Sequence, residues 1–216
     1  MRPLVGALQP HADVRALDML GHAGRPVPRR LSVKDLAEDA IAQAGEQSDS
    51  PAFIFGYSAG ACVALYLARY FARHFAGVCT LAAKYVFDRR TIAHWTYLTD
   101  PERLKRPELK RAPVLADLHR PQDWVAVALA NRRMFQEWER RPPLTPDELR
   151  GISLPALMFC SDDDQLVSAD EARALGALVP KSRVVFFRGQ SHPLDVVPVA
   201  AIAKAIADWI GAIVPA

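Results

Sequence analysis

Residues 52–66 read AFIFGYSAGACVALY, and this stretch decides how the rest of the chain is interpreted. An apolar run ends at Gly56, a single serine follows at Ser58, and a second apolar run begins after Gly60. Gly-x-Ser-x-Gly between a strand and a helix is typical of a strained turn that presents the serine hydroxyl as a nucleophile. The alternative is that Ser58 is only a small residue in a strand-to-helix connection.

The tightness of such a turn explains why glycines stand on both sides of the serine. A Cβ atom at Gly56 or at Gly60 is expected to crowd the neighbouring backbone. The helix that follows Ser58 begins with N–H groups that have no partner within the helix. We therefore expect the N–H of Ala59 to face a developing oxyanion.

The length and composition of the chain are those of an ordinary globular domain. Its 216 residues fit one domain with an insertion, and half of them are hydrophobic, which is ample for a large core. The formal net charge of +3 is too small to indicate a nucleic-acid-binding protein. No nucleic-acid partner is therefore expected, and a homo-oligomer is left open.

The three cysteines bear on the compartment. Cys62, Cys79 and Cys160 are an odd number, and each lies in an apolar run. They are interpreted as buried free thiols in a reducing compartment, so a cytoplasmic location is expected. The N-terminal stretch lacks the apolar core of a signal peptide, and no apolar stretch of about 18 residues is free of charges. No membrane span is therefore predicted.

Apolar runs alternate with helical patterns along most of the chain. This alternation predicts an α/β fold, in which a mostly parallel sheet is covered by helices on both faces. The predicted strands are 13–18, 51–57, 78–83, 154–160 and 183–187, and the predicted helices are 31–45, 59–71, 168–178 and 196–213. Ser32 with Asp35, and Ser168 with Glu171, have the spacing of capping boxes at two helix starts.

The alternation breaks between the second and third buried strands. Residues 88–150 are rich in arginine, proline and aromatic residues, and their apolar residues recur at intervals of three or four. This spacing predicts helices rather than another strand. We therefore expect a core formed by 1–87 and 151–216, with 88–150 inserted as a helical cap, or lid.

A serine hydroxyl needs a base, and one histidine lies where such a base is expected. His192 follows the last predicted strand, and an acidic run, Asp162 to Asp164, follows the strand before it. The carboxyl ends of parallel strands meet at one edge of a sheet, where sites on such sheets form. The chain order Ser, Asp, His is also the order that α/β hydrolases use.

Four stretches together carry a resemblance to a known family, namely ALDMLGHAGRP, FGYSAG, FCSDDDQLVS and GQSHP. The chain resembles the alpha/beta-hydrolase superfamily, in particular its cap-bearing serine hydrolases, over nearly its full length. The resemblance implies that Ser58 is the nucleophile and His192 the general base. It selects Asp164, three residues before a valine, as the acid, with Asp162 and Asp163 as alternatives.

The same resemblance has consequences for cofactors and for another histidine. It implies that neither a metal nor an organic cofactor is needed, and the acidic run lacks the glycine and the terminal glutamate of a calcium loop. His22, in GHAG, resembles a structural motif of the family rather than a catalytic residue. His94 and His119 lie in the insertion, where they could also line a substrate cleft.

One feature of the family has no match in the sequence. Relatives have, before the strand that 13–18 resembles, another strand that ends in a His-Gly loop and supplies the second oxyanion N–H. The chain starts at Met1 after the position of that loop. Two expectations follow: the coding sequence starts upstream of Met1, which we favour, or the chain is complete and catalytically damaged.

The reaction class expected from these residues is hydrolysis of a small ester, thioester or lactone through an acyl-enzyme. The expected partner is a small-molecule acyl substrate, bound by side chains that are aromatic or flexible and apolar, namely Tyr57, Trp95, Trp124, Met134 and Phe135. All of these except Tyr57 lie in the insertion, and packing inside the cap is the alternative role for them. A non-catalytic or weakly active protein of the same fold, and a variant reaction such as C–C bond hydrolysis or perhydrolysis, stay open.

Overall fold

The computed structural model describes residues 2–45, 52–189, 192 and 197–214. Its strands are β1 (Ala52–Tyr57), β2 (Phe75–Leu81), β3 (Ala156–Ser161) and β4 (Ser182–Phe187). Its α-helices are α1 (Arg2–Leu8), α2 (Val33–Ala44), α3 (Ala59–Tyr70), α4 (Arg89–Leu98), α5 (Pro101–Leu104), α6 (Arg111–His119), α7 (Trp124–Trp138), α8 (Pro146–Arg150), α9 (Ala169–Leu178) and α10 (Val199–Ile213). Two short 3₁₀ helices span Ala72–His74 and Pro107–Leu109. Within these ranges, every helix is too short or too polar to cross a bilayer.

The chain divides into two compact units. The first, called here the sheet unit, comprises Met1–Ala16, Glu46–Tyr85 and Leu144–Ala216. The second, the helical unit, comprises Leu17–Gly45 and Val86–Pro143. This division draws the boundary differently from the expected core and cap, because helix α2 groups with the inserted helices and α8 groups with the sheet.

The four described strands form one parallel sheet in the order β1-β2-β3-β4. Gly56 of β1 lies opposite Thr80 of β2, and Leu81 lies opposite Phe159 of β3. Parallel neighbours need a crossover connection, and helices α3 and α9 form those between β1 and β2 and between β3 and β4. The predicted parallel α/β architecture is confirmed.

Side chains of β2 and β3 alternate between two apolar cores. Cys79 and Phe159 pack in one cluster with residues of α1 and α10. Their neighbours Val78 and Met158 pack in a second cluster with residues of α3, α8 and α9. Because successive residues of a strand point to opposite faces, helices cover both faces of the sheet, as predicted.

The prediction of a strand at 13–18 is wrong. These residues form no regular secondary structure. A strand exists only beside a partner strand, and the described sheet ends at β1 on one side and at β4 on the other. The alternating pattern of DVRALD is a local property, and it does not provide that partner.

The two predicted helix starts differ in detail. Ser32 caps α2, and Asp35 completes the reciprocal capping box. Ser168 caps α9 by accepting from the N–H of Glu171. The carboxylate of Glu171, however, accepts from Nζ of Lys84 at 2.5 Å and from the N–H of Tyr85 at 3.2 Å. The residue therefore joins α9 to the segment that follows β2.

An aromatic cluster forms the interior of the helical unit. Phe87, Trp95, Phe135 and Trp138 make edge contacts, with ring centroids between 4.9 and 5.9 Å apart. Edge-to-face pairs of this kind add to the burial of the rings themselves. The three-and-four spacing seen in the sequence thus marks the faces by which α4 and α7 pack on each other.

Candidate active site

Ser58 lies on a strained turn between β1 and α3. Its backbone has φ 53° and ψ −120°, values that a residue with a side chain rarely adopts. The N–H of Ser58 donates to the carbonyl of Leu81 at 2.9 Å, which continues the pairing of β1 with β2 past the end of the strand. The sheet therefore holds the strained residue in place, as is common where strain serves a function.

The two glycines of the turn have different roles. A Cβ atom at Gly56 would lie 2.2 Å from the carbonyl oxygen of Gly60, a contact that the backbone cannot accommodate. A Cβ atom at Gly60 would meet nothing within 4 Å. The expectation that both positions exclude a side chain is thus right for Gly56 and wrong for Gly60, because only Gly56 faces the backbone of the first turn of α3.

Three of the predicted site residues come together in the sheet unit. Nε2 of His192 lies 3.0 Å from Oγ of Ser58. Nδ1 of His192 lies 2.8 Å from Oδ2 of Asp164 and 3.1 Å from its Oδ1. Ser58 follows β1, Asp164 follows β3 and His192 follows β4, so the three meet at the carboxyl edge of the sheet.

The surroundings of Asp164 keep its carboxyl ionised. The side chain is 2% exposed, and burial alone raises the pKa of a carboxyl. The contact with His192 and the N–H groups of Leu166 and Val167, which donate to Oδ1, outweigh that effect and lower the pKa. An ionised Asp164 can only accept, so Nδ1 of His192 carries the proton and Nε2 accepts from the hydroxyl of Ser58.

The acidic neighbours of Asp164 lie elsewhere. Asp162 and Asp163 are exposed. Oδ1 of Asp162 accepts from the N–H of Gly189 at 2.8 Å, and the N–H of Asp163 donates to Oγ of Ser161 at 3.2 Å. Of the three carboxylates that the sequence left open, Asp164 is the one that contacts His192.

Helix α3 supplies the predicted oxyanion donor. It begins at Ala59, directly after Ser58, so the N–H of Ala59 belongs to the first turn and has no acceptor within the helix. The positive end of the helix dipole lies at the same place and favours negative charge there. The role of Ala59 as an oxyanion donor stays a prediction.

Tyr57 has a contact that the sequence did not indicate. Its hydroxyl donates to the main-chain carbonyl of His192 at 2.8 Å, and the two rings have centroids 5.3 Å apart. The predicted contact of Tyr57 with the substrate stays a prediction. An aromatic residue before the serine suggests proximity to the site, but no local pattern reveals which atom its hydroxyl contacts.

The other predicted substrate-binding residues belong to the helical unit. Trp95, Met134 and Phe135 are each less than 8% exposed, and Trp124 is half-buried. Trp95 and Phe135 contact each other within the aromatic cluster. The burial of these side chains favours the alternative role, packing inside the unit, while a contact with substrate stays a prediction.

His22 takes part in a polar network of the helical unit. Its Nδ1 lies 3.0 Å from the carbonyl of Leu20, and its Nε2 lies 3.0 Å from Nδ2 of Asn131. His119 is buried, and its Nδ1 accepts from the N–H of Ala23 at 3.2 Å. Burial, followed by the neighbouring His22, lowers the pKa of His119. These contacts support the structural interpretation of His22.

No set of three or more His, Cys, Asp or Glu side chains within the described ranges is arranged to hold a metal ion.

The three cysteines, Cys62, Cys79 and Cys160, are free thiols, and all three are buried. Burial raises the pKa of Cys62 and of Cys160 to about 12 each, which keeps these thiols protonated and unreactive.

Comparison with known proteins identifies the family of this chain. The sequence model of the alpha/beta hydrolase family matches residues 1–205. The chain belongs to the alpha/beta hydrolase family. Its sheet with helices on both faces is the α/β-hydrolase fold, and no curated protein matches the sequence.

Several solved structures share this fold at low sequence identity. The enol-lactonase of Burkholderia xenovorans LB400 is 20% identical, with a TM-score of 0.75 over 96% of this chain and 84% of that one. The meta-cleavage product hydrolase CumD of Pseudomonas fluorescens IP01 is 17% identical, with a TM-score of 0.78 over 98% and 84% of the two chains. The monoacylglycerol lipase of Paleococcus ferrophilus is 21% identical, with a TM-score of 0.63 over 98% and 88%.

Proposed function

We propose that this alpha/beta hydrolase is a serine hydrolase that cleaves a small ester, thioester or lactone through an acyl-enzyme. The observation that carries the proposal is the continuous hydrogen-bonded chain from Ser58 through His192 to Asp164. A serine on a strained turn, a histidine in hydrogen-bond contact with it and a buried carboxylate behind the histidine are the parts of an activated nucleophile.

In the first half of the reaction, Oγ of Ser58 attacks the carbonyl carbon of the substrate and Nε2 of His192 takes the hydroxyl proton. The carboxylate of Asp164 stabilises the imidazolium that results and keeps the ring oriented. The N–H of Ala59 donates to the oxyanion of the tetrahedral intermediate. As the intermediate collapses, His192 gives its proton to the leaving oxygen or sulfur, and the acyl group stays on Ser58.

In the second half, water takes the place of the leaving group. His192 removes a proton from the water, whose oxygen attacks the acyl carbon, and a second tetrahedral intermediate forms at the same donor. Its collapse returns the proton from His192 to Oγ of Ser58 and releases the carboxylic acid. For a lactone, the leaving group and the acid are ends of one product molecule.

The experiment that tests this proposal compares Ser58→Ala with Ser182→Ala in hydrolysis of a short-chain nitrophenyl ester. Ser182 lies in β4, where its hydroxyl donates to the carbonyl of Gly176, so its replacement makes the same chemical change away from the site. Loss of activity in Ser58→Ala alone supports the proposal. Equal activity in both variants and the unaltered protein would refute the mechanism.

A fluorophosphonate probe distinguishes the proposed serine hydrolase from the alternative, a non-catalytic protein of this fold. Such a probe labels a serine only when a base activates it. We expect labelling of the unaltered protein and none of Ser58→Ala or His192→Ala. A protein that neither takes up the label nor cleaves the ester would be the non-catalytic alternative.

The buried thiols support a cytoplasmic location as part of the same proposal. Three buried free cysteines suit a reducing compartment, because disulfides form and persist in oxidising environments and are rare in the cytosol. Fractionation of the cells that express the protein tests this location. Recovery of the protein in the secreted fraction would contradict it.

A further inference from the structure

We propose that Tyr57 is a positioning residue, which holds the main chain of His192 so that the imidazole faces Ser58. The inference rests on the proposed function, because it concerns the base of that reaction. The hydroxyl of Tyr57 donates to the main-chain carbonyl of His192 at 2.8 Å. Tyr57 is also the last residue of β1 and directly precedes Ser58.

The strand that carries the nucleophile therefore also holds the base. The contact joins residues 135 positions apart in the sequence, and it acts on the backbone of His192 rather than on its ring. The rings of the two residues lie 33° from parallel, with centroids 5.3 Å apart. A shift of the main chain at His192 would carry Nε2 away from Oγ of Ser58. By holding that main chain, the hydroxyl of Tyr57 therefore sets the distance between Nε2 and Oγ, although it contacts neither atom.

His192 needs such a contact because no sheet ladder holds it. It lies in the connection between the end of β4 at Phe187 and the start of α10 at Val199. Contacts with Asp164 and Ser58 orient the ring, but a ring can follow a displaced backbone. In the described part of this connection, the backbone N–H of Gly189 donates to Asp162 and the backbone carbonyl of His192 accepts from Tyr57.

The direction of this hydrogen bond argues against substrate recognition through the hydroxyl proton of Tyr57. That proton is donated to the carbonyl of His192, so an acceptor on the substrate would have to displace it. Such a displacement would leave the part-buried carbonyl without its donor, which opposes binding of the substrate through this proton. A positioning role and a substrate-binding role therefore predict different kinetics when the hydroxyl is removed.

The test compares Tyr57→Phe with Tyr97→Phe in ester hydrolysis. Tyr97 belongs to the helical unit and is 53% exposed, so its variant loses the same atom at a residue outside the contact between Tyr57 and His192. We expect Tyr57→Phe to lower kcat about ten-fold with KM unchanged, because misplacing a catalytic group costs rate rather than ground-state binding. Tyr97→Phe should match the unaltered enzyme. A raised KM with unchanged kcat would assign Tyr57 to the substrate, and unchanged values of both would overturn the inference.

A second measurement does not depend on turnover. We expect a proton on Nδ1 of His192, hydrogen-bonded to Asp164, to give a low-field NMR resonance that reports how well the imidazole is fixed. We expect this resonance to broaden or vanish through solvent exchange in Tyr57→Phe and to persist in Tyr97→Phe. If the unaltered protein shows no esterase activity and no labelling, the proposed function fails, and this resonance still tests the placement of His192. An identical resonance in both variants would contradict the role of Tyr57.

Discussion

The carboxylate of Asp164 contacts Nδ1 of His192 at 2.8 Å, and it does so from a side chain that is 2% exposed. Its other oxygen accepts from the N–H groups of Leu166 and Val167. The turn that follows Asp164 therefore holds the carboxylate in place independently of its contact with His192. An ionised carboxylate held beside Nδ1 can only accept a hydrogen bond, so Asp164 determines the tautomer of His192.

The assignment of the acid predicts a sharp difference between neighbouring carboxylates. Asp164→Asn should lower kcat roughly 10³- to 10⁴-fold, because an amide can hold the histidine in the wrong tautomer. Asp163→Asn is the matched control and should leave kcat within about two-fold, since exposed side chains away from such features tolerate change. Steady-state hydrolysis of a nitrophenyl ester measures both. A large loss in Asp163→Asn with normal activity in Asp164→Asn would reverse the assignment.

The sequence was sufficient to predict which elements meet at the site. Ser58, Asp164 and His192 each follow an apolar strand, and the topology of a parallel sheet brings such positions to one edge. Residues 13–18 show the limit of that reasoning, because a strand depends on a partner that a local pattern does not specify. The bond from Tyr57 to His192 could not be predicted either, since it depends on how two distant segments are placed to within an ångström.

The turn around Ser58 predicts opposite effects for two glycine substitutions. Gly56→Ala should destabilise the protein by about 1–3 kcal/mol, because the added Cβ lies 2.2 Å from the carbonyl oxygen of Gly60 and the backbone must move. Gly60→Ala should be neutral or stabilise by up to about 1 kcal/mol, because its site is open and alanine favours a helix. Thermal unfolding followed by circular dichroism compares the two. A similar Tm for both variants would contradict the geometry of the turn.

The buried ion pair between Lys84 and Glu171 predicts strongly non-additive stabilities. The two side chains are 9% and 11% exposed, and Glu171 also accepts from the N–H of Tyr85. Lys84→Met alone or Glu171→Gln alone should cost about 3–5 kcal/mol, because each leaves the partner buried without its counter-charge. The double variant should cost less than the sum, since both charges are then gone. Urea unfolding of the four proteins measures the coupling, and additive losses would show that the pair does not act as a unit.

The ion pair between Arg25 and Asp39 predicts a dependence of stability on pH. Two hydrogen bonds of 2.5 and 2.7 Å join the guanidinium to the carboxylate. The hydrogen bond from Arg25 is the largest influence on Asp39, and it lowers the pKa of the carboxyl against the opposing effect of burial. The folded chain therefore binds this proton less readily than the unfolded chain does.

A carboxyl whose pKa is lower in the folded state stabilises the protein fully at pH values above its pKa in the unfolded chain, about 3.9. This stabilisation is lost as the pH falls through the pKa of the folded state. Asp39→Asn should accordingly lower the free energy of unfolding by about 1 kcal/mol at neutral pH, with a smaller deficit near pH 3. Arg25→Gln should show the same trend, and the double variant should add little, because either change removes the pair. Urea unfolding at both pH values measures the deficit. A deficit that stays constant or grows toward acid would mean that Asp39 contributes through its shape rather than through its charge.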